Sequence, residues 1–339
     1  SRYQKLGVRT YQAEDEIAAA GVALGASFAG CLGVTGTSGP GMALKSETIS
    51  LAVTTELPLI IVDVQRAGPS TGMPTKTEQA DLLMAMHGRH GEAPLPVLAI
   101  ASPADAFDTM IEAARIALRY MTPVIVLSDG YIANSAEPWL LPDLEALPDI
   151  SVPFVTAPNG ESGFLPYLRD PRTLARGWAV PGTPGLEHRI GGLEKEDVTG
   201  EVSHSPANHD RMVQLREQKV AGIAADIPEV VVDEDPGAEL LVLGWGSTYP
   251  AIFAGVRQAR ARGARVARAH LRHLNPFPRN LGEVLRRYPR VLVPELNRGQ
   301  LRHLLRADFL VDVVGMNKVQ GMPFKTFEIE EKIMEMTRP

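Results

Sequence analysis

Hydrophobic residues in the first part of the chain form two kinds of pattern that alternate with each other. Continuous apolar runs, typical of strands buried on both faces, predict strands at residues 31–35, 59–64, 95–101 and 123–128. Apolar residues at helical spacing predict helices at residues 14–28, 42–54 and 103–120. Because strands alternate with helices, we predict a parallel sheet covered by helices, which is an α/β fold.

A second alternating pattern begins near residue 239, with predicted strands at residues 239–243, 265–270, 290–294 and 310–314 and predicted helices at residues 250–262, 299–306 and 328–336. Between the two patterns only residues 207–225 look helical, and Pro and Gly are frequent. Scattered aromatic residues there are interpreted as packing anchors. We therefore divide the chain into a first α/β domain, an irregular segment that packs on a domain or a partner, and a second α/β domain, at residues 1–135, 136–236 and 237–339.

The amino terminus predicts that part of the first domain lies upstream. The chain opens with Ser1 rather than Met, and residues 8–11 predict a strand that enters a domain already begun. A fragment, a processed chain or a piece of a longer polypeptide is expected. Ordinary removal of an initiator Met explains this end equally well.

Composition narrows the class of protein. At 339 residues the chain can form two domains, and a net charge of −6 without a long basic run argues against nucleic acid as the main partner. The single cysteine, Cys31, cannot form an internal disulfide or hold a four-cysteine cluster. No signal peptide and no membrane-spanning apolar run is present, so a cytoplasmic protein without membrane attachment is expected.

Two polar loops follow neighbouring predicted strands and mark a candidate site. Residues 35–41 read TGTSGPG, where Gly39 and Gly41 allow the backbone to approach a ligand. Residues 65–81 are dense in hydroxyl groups, turn residues and charge. Ligands bind beyond the carboxyl ends of strands in open parallel sheets, so these loops predict a site. Neither the loop glycines nor the pair His87 and His90 has the spacing of a dinucleotide or metal motif.

Three acidic residues, Glu14, Asp15 and Glu16, begin the first predicted helix. Stabilisation of the positive helix terminus explains at least two of them. Glu16 shares a face with small residues, Ala19, Ala20 and Ala23, which we expect to leave room for a flat ligand. A carboxylate in such a place suits proton chemistry or a hydrogen bond to a ring nitrogen.

Six segments together resemble the alpha subunit of 2-oxoglutarate:ferredoxin oxidoreductases, within the 2-oxoacid:acceptor oxidoreductase family. They are QAEDEIA at residues 12–18, TSGPG at 37–41, RAGPSTGMPTKTEQAD at 66–81, HGE at 90–92, VPELN at 293–297 and NKVQG at 317–321. The segment at 66–81 is the most specific, and the resemblance covers nearly the whole chain. It implies a thiamine diphosphate enzyme that decarboxylates a 2-oxoacid with coenzyme A and passes two electrons, one at a time, to ferredoxin.

The resemblance also implies a division of labour between subunits. Asp129 and Gly130 lack the glycine and asparagine of a diphosphate motif, so this chain resembles only the pyrimidine-binding half, followed by a domain like the carboxyl-terminal domain of transketolases. The diphosphate, Mg²⁺ and 4Fe–4S sites are expected in a beta subunit, within an (alpha-beta)₂ assembly. In the family a gamma-type domain and a strand-end threonine motif precede these residues, which leaves one cofactor contact unassigned.

The resemblance assigns roles to individual residues. Glu16 matches the glutamate that hydrogen-bonds the pyrimidine ring and favours the imino tautomer, while Ser38, Gly39 and Arg66 are further predicted cofactor contacts. The predicted substrate contacts are Arg66, Ser70, Thr71 and Thr75. The planar fork of Arg66 suits a carboxylate, although pairing with Asp63 or Glu78 would explain it as well.

Two alternative functions stay open at this stage. Pyruvate or a branched-chain 2-oxoacid could replace 2-oxoglutarate, although polar partners at Arg66 and Thr75 favour a dicarboxylate. The chain could instead be a non-catalytic interaction subunit. Retention of Glu16 and Arg66 argues against a decayed site.

Overall fold

The computed structural model describes residues 4–161 and 163–338, which contain two five-stranded sheets flanked by helices. The strands in chain order are β1 (Gly33–Thr37), β2 (Leu59–Gln65), β3 (Val97–Ala99), β4 (Pro123–Asp129), β5 (Val232–Asp233), β6 (Leu240–Trp245), β7 (Val266–Leu271), β8 (His273–Asn275), β9 (Arg290–Glu295) and β10 (Val313–Asn317). The predicted α/β fold with parallel sheets is confirmed.

The helices in chain order are α1 (Glu16–Phe28), α2 (Gly39–Leu44), α3 (Ser46–Thr55), α4 (Leu82–His87), α5 (Asp105–Tyr120), α6 (Gly130–Ala133), α7 (Pro206–Gly222), α8 (Tyr249–Ala261), α9 (Leu281–Arg287), α10 (Gln300–Phe309) and α11 (Thr326–Thr337). Short 3₁₀ turns occur at Gln4–Leu6, Leu144–Ala146, Ile223–Ala225 and Gly246–Thr248. Within the described residues, no helix combines the length and the apolar character needed to cross a membrane.

The first sheet has the strand order β1-β2-β4-β3-β8, in which only β8 runs antiparallel to its neighbour. Its central strands are apolar because helices cover both faces, and every residue of β4 is buried. Parallel pairing places Thr37 of β1 beside Asp63 of β2. The loops that follow β1 and β2 therefore leave the sheet at the same edge.

The second sheet has the strand order β10-β9-β6-β7-β5, with β5 antiparallel to β7. One continuous apolar core includes Leu59 and Ile61 of β2 together with Leu241 and Leu243 of β6. Strand β8 lies in the second predicted domain yet pairs with β3 of the first sheet. The domain boundaries at residues 135 and 236 stay a prediction.

Between α6 and α7 the chain is irregular and is fastened to the carboxyl-terminal ends of helices α1 and α3 by polar contacts. Trp178 Nε1 donates a hydrogen bond to the carbonyl of Ser27 at 3.0 Å, and Tyr167 Oη donates to the carbonyl of Thr55 at 3.4 Å. Both aromatic side chains are buried, which confirms their prediction as packing anchors, whereas Trp139 and Phe154 of the same segment are exposed. Arg169 also reaches the buried carboxylate of Glu56 at the end of α3.

The sequence-based prediction differs from the structure in three places. Residues 8–11 form no strand, so the strand predicted there is wrong. The helix predicted at residues 42–54 is two helices, α2 and α3, which meet at Lys45. Five short elements were not predicted, because each is too short to show a period: α4, α6, α9, β5 and β8.

Candidate active site

The turn after β1 carries two glycines whose missing side chains give room to neighbouring residues. A Cβ atom on Gly39 would lie 2.8 Å from Asp81 Oδ2, and one on Gly41 would lie 2.1 Å from Thr37 Oγ1 and 2.8 Å from Glu16 Cγ. We expected these glycines to admit a ligand. In the structure their first effect is to bring Asp81 and Glu16 against the turn.

Glu16 is the first residue of α1 and its side chain is exposed. Asp15 caps the helix, because its carboxylate accepts a hydrogen bond from Ala18 N at 2.7 Å. Helix capping therefore explains Asp15 and leaves the Glu16 carboxylate available at the carboxyl end of β1.

The small residues near Glu16 do not form the space that we predicted for a flat ligand. Ala20 and Ala23 are buried, and a Cβ atom on Gly33 would lie 2.1 Å from the carbonyl oxygen of Ala23. Their small size lets α1 pack closely on β1. A ligand that contacts Glu16 must approach from the exposed side of the turn.

The loop at residues 66–81 closes on itself through backbone hydrogen bonds. Ala67 N donates to Lys76 O, and Met73 N donates to Ala67 O, each at 2.9 Å. Gly72 has a positive φ of 45°, and a Cβ atom there would lie 1.9 Å from Ala67 O. Three of the predicted substrate residues in this loop, Ser70, Thr71 and Thr75, are exposed. Ser70 and Thr75 have positive φ angles.

Arg66 directly follows β2 and is half-buried, and its Nε atom has no hydrogen-bond partner. The alternative that it pairs with Asp63 or Glu78 is not found among the described residues. Both carboxylate oxygens of Asp63 lack partners, and Glu78 Oε2 accepts from the backbone of Gly68 at 3.4 Å. The guanidinium is therefore not occupied by either predicted alternative.

Residues at the ends of β6 and β9 and at the start of α10 hold this loop, a role that sequence reasoning missed. Gln79 Nε2 donates to Trp245 O at 2.8 Å, and Gln79 Oε1 accepts from Leu296 N at 3.0 Å. Asn297 Nδ2 donates back to Gln79 O at 2.7 Å, and Gln300 Nε2 donates to Ala80 O at 2.7 Å. Contacts between residues more than 160 positions apart leave no local signal in one sequence.

A buried group of charged side chains lies behind the turn. Lys45 and Asp63 are fully buried, and the Lys45 Nζ atom has no hydrogen-bond partner. Burial raises the pKa of Asp81 to about 6, and the negative charge of Glu78 adds to the shift. Burial and the charge of Asp81 raise the pKa of Asp63 well above its usual value.

The sequence did contain a signal for this buried group. Lys45 lies three residues after Met42 and four before Ile49, which places it on the apolar face of the predicted helix. Asp63 follows Leu59 and Ile61 on one face of β2. Charged side chains are almost never fully buried unless they are paired.

Asp129, at the end of β4, acts as a helix cap. Its Oδ1 atom accepts hydrogen bonds from Tyr131 N at 2.9 Å and Ile132 N at 3.1 Å, and burial raises the pKa of the Asp129 carboxyl. His87 and His90 are exposed. In the part of the chain that the structure describes, no three metal-ligating side chains are grouped.

A cavity of about 780 Å³ lies elsewhere, between α5 and residues 149–178. None of the predicted site residues lines it. The arrangement that best suits a ligand is the exposed edge where Glu16, the turn after β1 and the loop with Arg66 meet the carboxyl ends of parallel strands.

Comparison with known proteins identifies the family of this chain. Residues 2–205 match the family described as "Pyruvate flavodoxin/ferredoxin oxidoreductase, thiamine diP-bdg". The chain belongs to this family. The matched residues include the predicted site residues, which are Glu16, Ser38, Gly39, Arg66, Ser70, Thr71 and Thr75.

Relatives of the oxidoreductase family match most of the chain. The 2-oxoglutarate oxidoreductase subunit KorA of Mycobacterium tuberculosis is 59% identical over 330 residues, which is 97% of this chain and 50% of the relative. The 2-oxoglutarate synthase subunit KorA of Methanothermobacter marburgensis is 32% identical over 334 residues, which is 96% of this chain and 86% of that relative. This chain thus spans about half the length of the Mycobacterium relative.

A solved structure of the oxidoreductase family has the same fold. It is 2-oxoglutarate:ferredoxin oxidoreductase from Magnetococcus marinus with 2-oxoglutarate, coenzyme A and succinyl-CoA bound. The TM-score is 0.91 at 34% identity, and the match covers 99% of this chain and 59% of that chain. The resemblance that we stated from the sequence is confirmed.

Proposed function

We propose that this chain forms the pyrimidine-binding part of the alpha subunit of a 2-oxoglutarate:ferredoxin oxidoreductase. The reaction converts 2-oxoglutarate and coenzyme A to succinyl-CoA and CO₂, and two electrons pass to ferredoxin. The observation that carries the proposal is 59% identity to a 2-oxoglutarate oxidoreductase subunit over 97% of the chain. It is supported by the exposed carboxylate of Glu16 and the unpartnered Nε atom of Arg66 at one sheet edge.

The residues at this edge suit the pyrimidine half of thiamine diphosphate. Glu16 offers a carboxylate that its helix cap does not use, and Ser38 and Gly39 form the neighbouring turn. Bound there, the cofactor would supply the carbanion chemistry of decarboxylation. The role of Glu16 is to hold a hydrogen bond to the pyrimidine ring nitrogen and so fix the orientation and protonation of the ring.

Arg66 is the proposed contact for the distal carboxylate of 2-oxoglutarate. Its fork of donors matches a carboxylate, and the chain offers it no carboxylate partner within the described residues. Thr75 is nine residues further along in the same closed loop, and Ser70 and Thr71 line its exposed side. These hydroxyl groups would complete a polar pocket, which favours a dicarboxylate over pyruvate or a branched-chain 2-oxoacid.

The remaining parts of the proposed enzyme belong to a partner. A 4Fe–4S cluster requires four cysteine ligands, whereas this sequence has Cys31 alone. The cluster ligands therefore lie outside this sequence, and from the family resemblance we place the cluster, Mg²⁺ and the diphosphate site in a beta subunit, within an (alpha-beta)₂ assembly that reduces ferredoxin. The exposure of Glu16, Ser70 and Thr75 suits a site that a second subunit covers. A cytoplasmic location remains a prediction from the sequence.

The full-length alpha subunit, purified with its beta subunit, tests the proposal. We expect a brown complex that contains thiamine diphosphate and reduces ferredoxin with 2-oxoglutarate only when coenzyme A is present. A higher kcat/KM with pyruvate or a branched-chain 2-oxoacid than with 2-oxoglutarate would show that the proposed substrate is wrong. A complex without cofactor and without turnover on any 2-oxoacid would favour a non-catalytic subunit.

A further inference from the structure

Lys45, Asp63 and Asp81 come from three separate elements and converge behind the turn that follows β1. Lys45 lies where α2 meets α3, Asp63 lies in β2, and Asp81 immediately precedes α4. Asp63 stands beside Thr37 in the sheet register, and the Asp81 carboxylate lies under Gly39. Their meeting point is therefore directly beneath the candidate site.

Each of the three side chains has an atom without a hydrogen-bond partner. These atoms are Lys45 Nζ, both carboxylate oxygens of Asp63, and Asp81 Oδ2. Lys45 and Asp63 have no exposed surface. Leaving a buried charged group unpaired costs several kcal/mol, so such a group is retained only where its charge is balanced nearby.

A proton shared by Asp63 and Asp81 would remove the repulsion between their two carboxylates. Two ionised carboxylates only accept hydrogen bonds and repel each other, whereas a protonated one can donate to its ionised neighbour. Burial raises the pKa of both carboxyls, and the negative charge of Asp81 raises that of Asp63 further, so we assign the proton to Asp63, where it would supply the missing hydrogen bond to Asp81. At neutral pH the pair then carries one negative charge, which the positive charge of Lys45 balances.

Lys45 connects this pair to Glu16. Burial lowers the pKa of Lys45, and the negative charges of Glu16, Asp63 and Asp15 oppose that shift, with Glu16 the strongest. The Glu16 side chain is also in contact with the turn at Gly41. The buried Lys45 therefore attracts the Glu16 carboxylate electrostatically.

We propose that Lys45, Asp63 and Asp81 are positioning residues that form a charge-balanced unit with one shared proton and hold Glu16 and the Ser38–Gly39 turn in place for the cofactor. The inference rests on the proposed function for the role of Glu16. The charged groups that face the unit are Asp15 and Glu16 from α1 and Glu78 from the loop after β2. All three are acidic, which makes the single buried lysine the balancing charge.

Stability as a function of pH tests the shared proton without any need for activity. A carboxyl whose pKa is raised by folding binds its proton more tightly in the folded state, so stability is lost as the pH rises through the folded pKa. The denaturant midpoint of the full-length complex should fall between about pH 5 and pH 8, and Asp63→Asn should remove at least about half of that fall. Asp108→Asn, at an exposed position on α5, is the matched control and should not change it.

A double substitution tests the charge balance. Lys45→Met should lower the denaturant midpoint, and Asp81→Asn added to it should recover part of the loss because the unit is neutral again. Strictly additive losses would overturn the balance. An unchanged pH dependence in Asp63→Asn would overturn the shared proton. If Lys45→Met does not fold, Asp63→Asn, which is nearly isosteric, still decides the question of the proton.

Cofactor binding and turnover test the positioning of Glu16. Lys45→Met should lower kcat by about tenfold and change KM by less than about twofold. It should also weaken the binding of thiamine diphosphate to the cofactor-free complex, which tryptophan fluorescence can measure. The double variant Lys45→Met, Asp81→Asn should recover stability but not kcat, because Glu16 still lacks its positive neighbour. Recovery of both would reduce Lys45 to a structural role. If the parent complex turns over no 2-oxoacid, the proposed function fails, while the stability measurements still decide whether the unit exists.

Discussion

Gln79 donates a hydrogen bond from Nε2 to the backbone carbonyl of Trp245 at 2.8 Å and so joins the loop after β2 to the end of β6. The same side chain accepts from Leu296 N at the end of β9. The second sheet therefore holds the loop that carries Arg66 and Thr75. The second sheet thus contributes to the candidate site by holding this loop in position from outside the first sheet.

Replacement of Gln79 by Leu should destabilise the protein and loosen the loop. Leu fills a similar volume but leaves the buried Leu296 N without a partner, which costs about 1–3 kcal/mol. Denaturant unfolding should show this loss, and KM for the 2-oxoacid should rise. Gln258→Leu, at an exposed position on α8, is the control. Unfolding at the parent midpoint would show that the loop needs no such anchor.

The long apolar elements were predictable because their burial pattern is local. The observed β2, β4 and α5 begin and end within two residues of their predicted bounds. The two polar loops that mark the predicted site also leave the sheet at one edge, as expected from the sequence, because they follow neighbouring parallel strands. Both successes depend on periodicity and on the geometry of parallel sheets.

The supports of the site were not predictable in the same way. Lys45 lies where α2 meets α3 and is fully buried, whereas lysine side chains are almost always exposed. The contact of Gln79 with Trp245 joins residues far apart in the chain. Such pairings depend on how the two sheets pack, and a single sequence gives no measure of that.

Glu56, at the end of α3, should contribute stability that is lost in acid. Burial opposes its ionisation, but Lys219 and Arg169 outweigh burial and lower the pKa of Glu56 from 4.5 to about 2. Because the folded pKa is lowered, the stabilisation is present above about pH 4.5 and disappears as the pH falls toward 2.

Glu56→Gln should therefore destabilise the protein by about 3–5 kcal/mol near neutral pH, since Arg169 and Lys219 lose their buried counter-charge. Urea unfolding of parent and variant should show this difference shrinking below about pH 4.5. Glu145→Gln, at an exposed position, is the control. A difference that does not depend on pH would mean that Glu56 acts by packing alone.

Glu16→Gln should leave cofactor binding nearly intact in the assembled complex and slow turnover. The amide has the same shape as the carboxylate but cannot exchange a proton with the pyrimidine ring nitrogen. Loss of one positioned acid–base group costs on the order of 10²–10⁴ in rate. Glu14→Gln, two residues earlier and also exposed, should behave like the parent. Parental turnover in Glu16→Gln would assign this role to another carboxylate.

Arg66→Lys and Arg66→Met should reduce the use of 2-oxoglutarate more than that of pyruvate. Both substrates share the 2-oxoacid end, whereas only 2-oxoglutarate has a distal carboxylate for the guanidinium to bind. A hydrogen bond to a charged group contributes roughly 1.5–3 kcal/mol, so the ratio of kcat/KM for the two substrates should change by about one to two powers of ten. Lys keeps the charge but not the fork, and it should therefore recover only part of the preference. Arg257→Lys, at an exposed position on α8, should leave the ratio unchanged. Equal losses of kcat/KM for both substrates would show that Arg66 acts on the shared 2-oxoacid end or on the fold, and the selection of the dicarboxylate would then have to lie outside this loop.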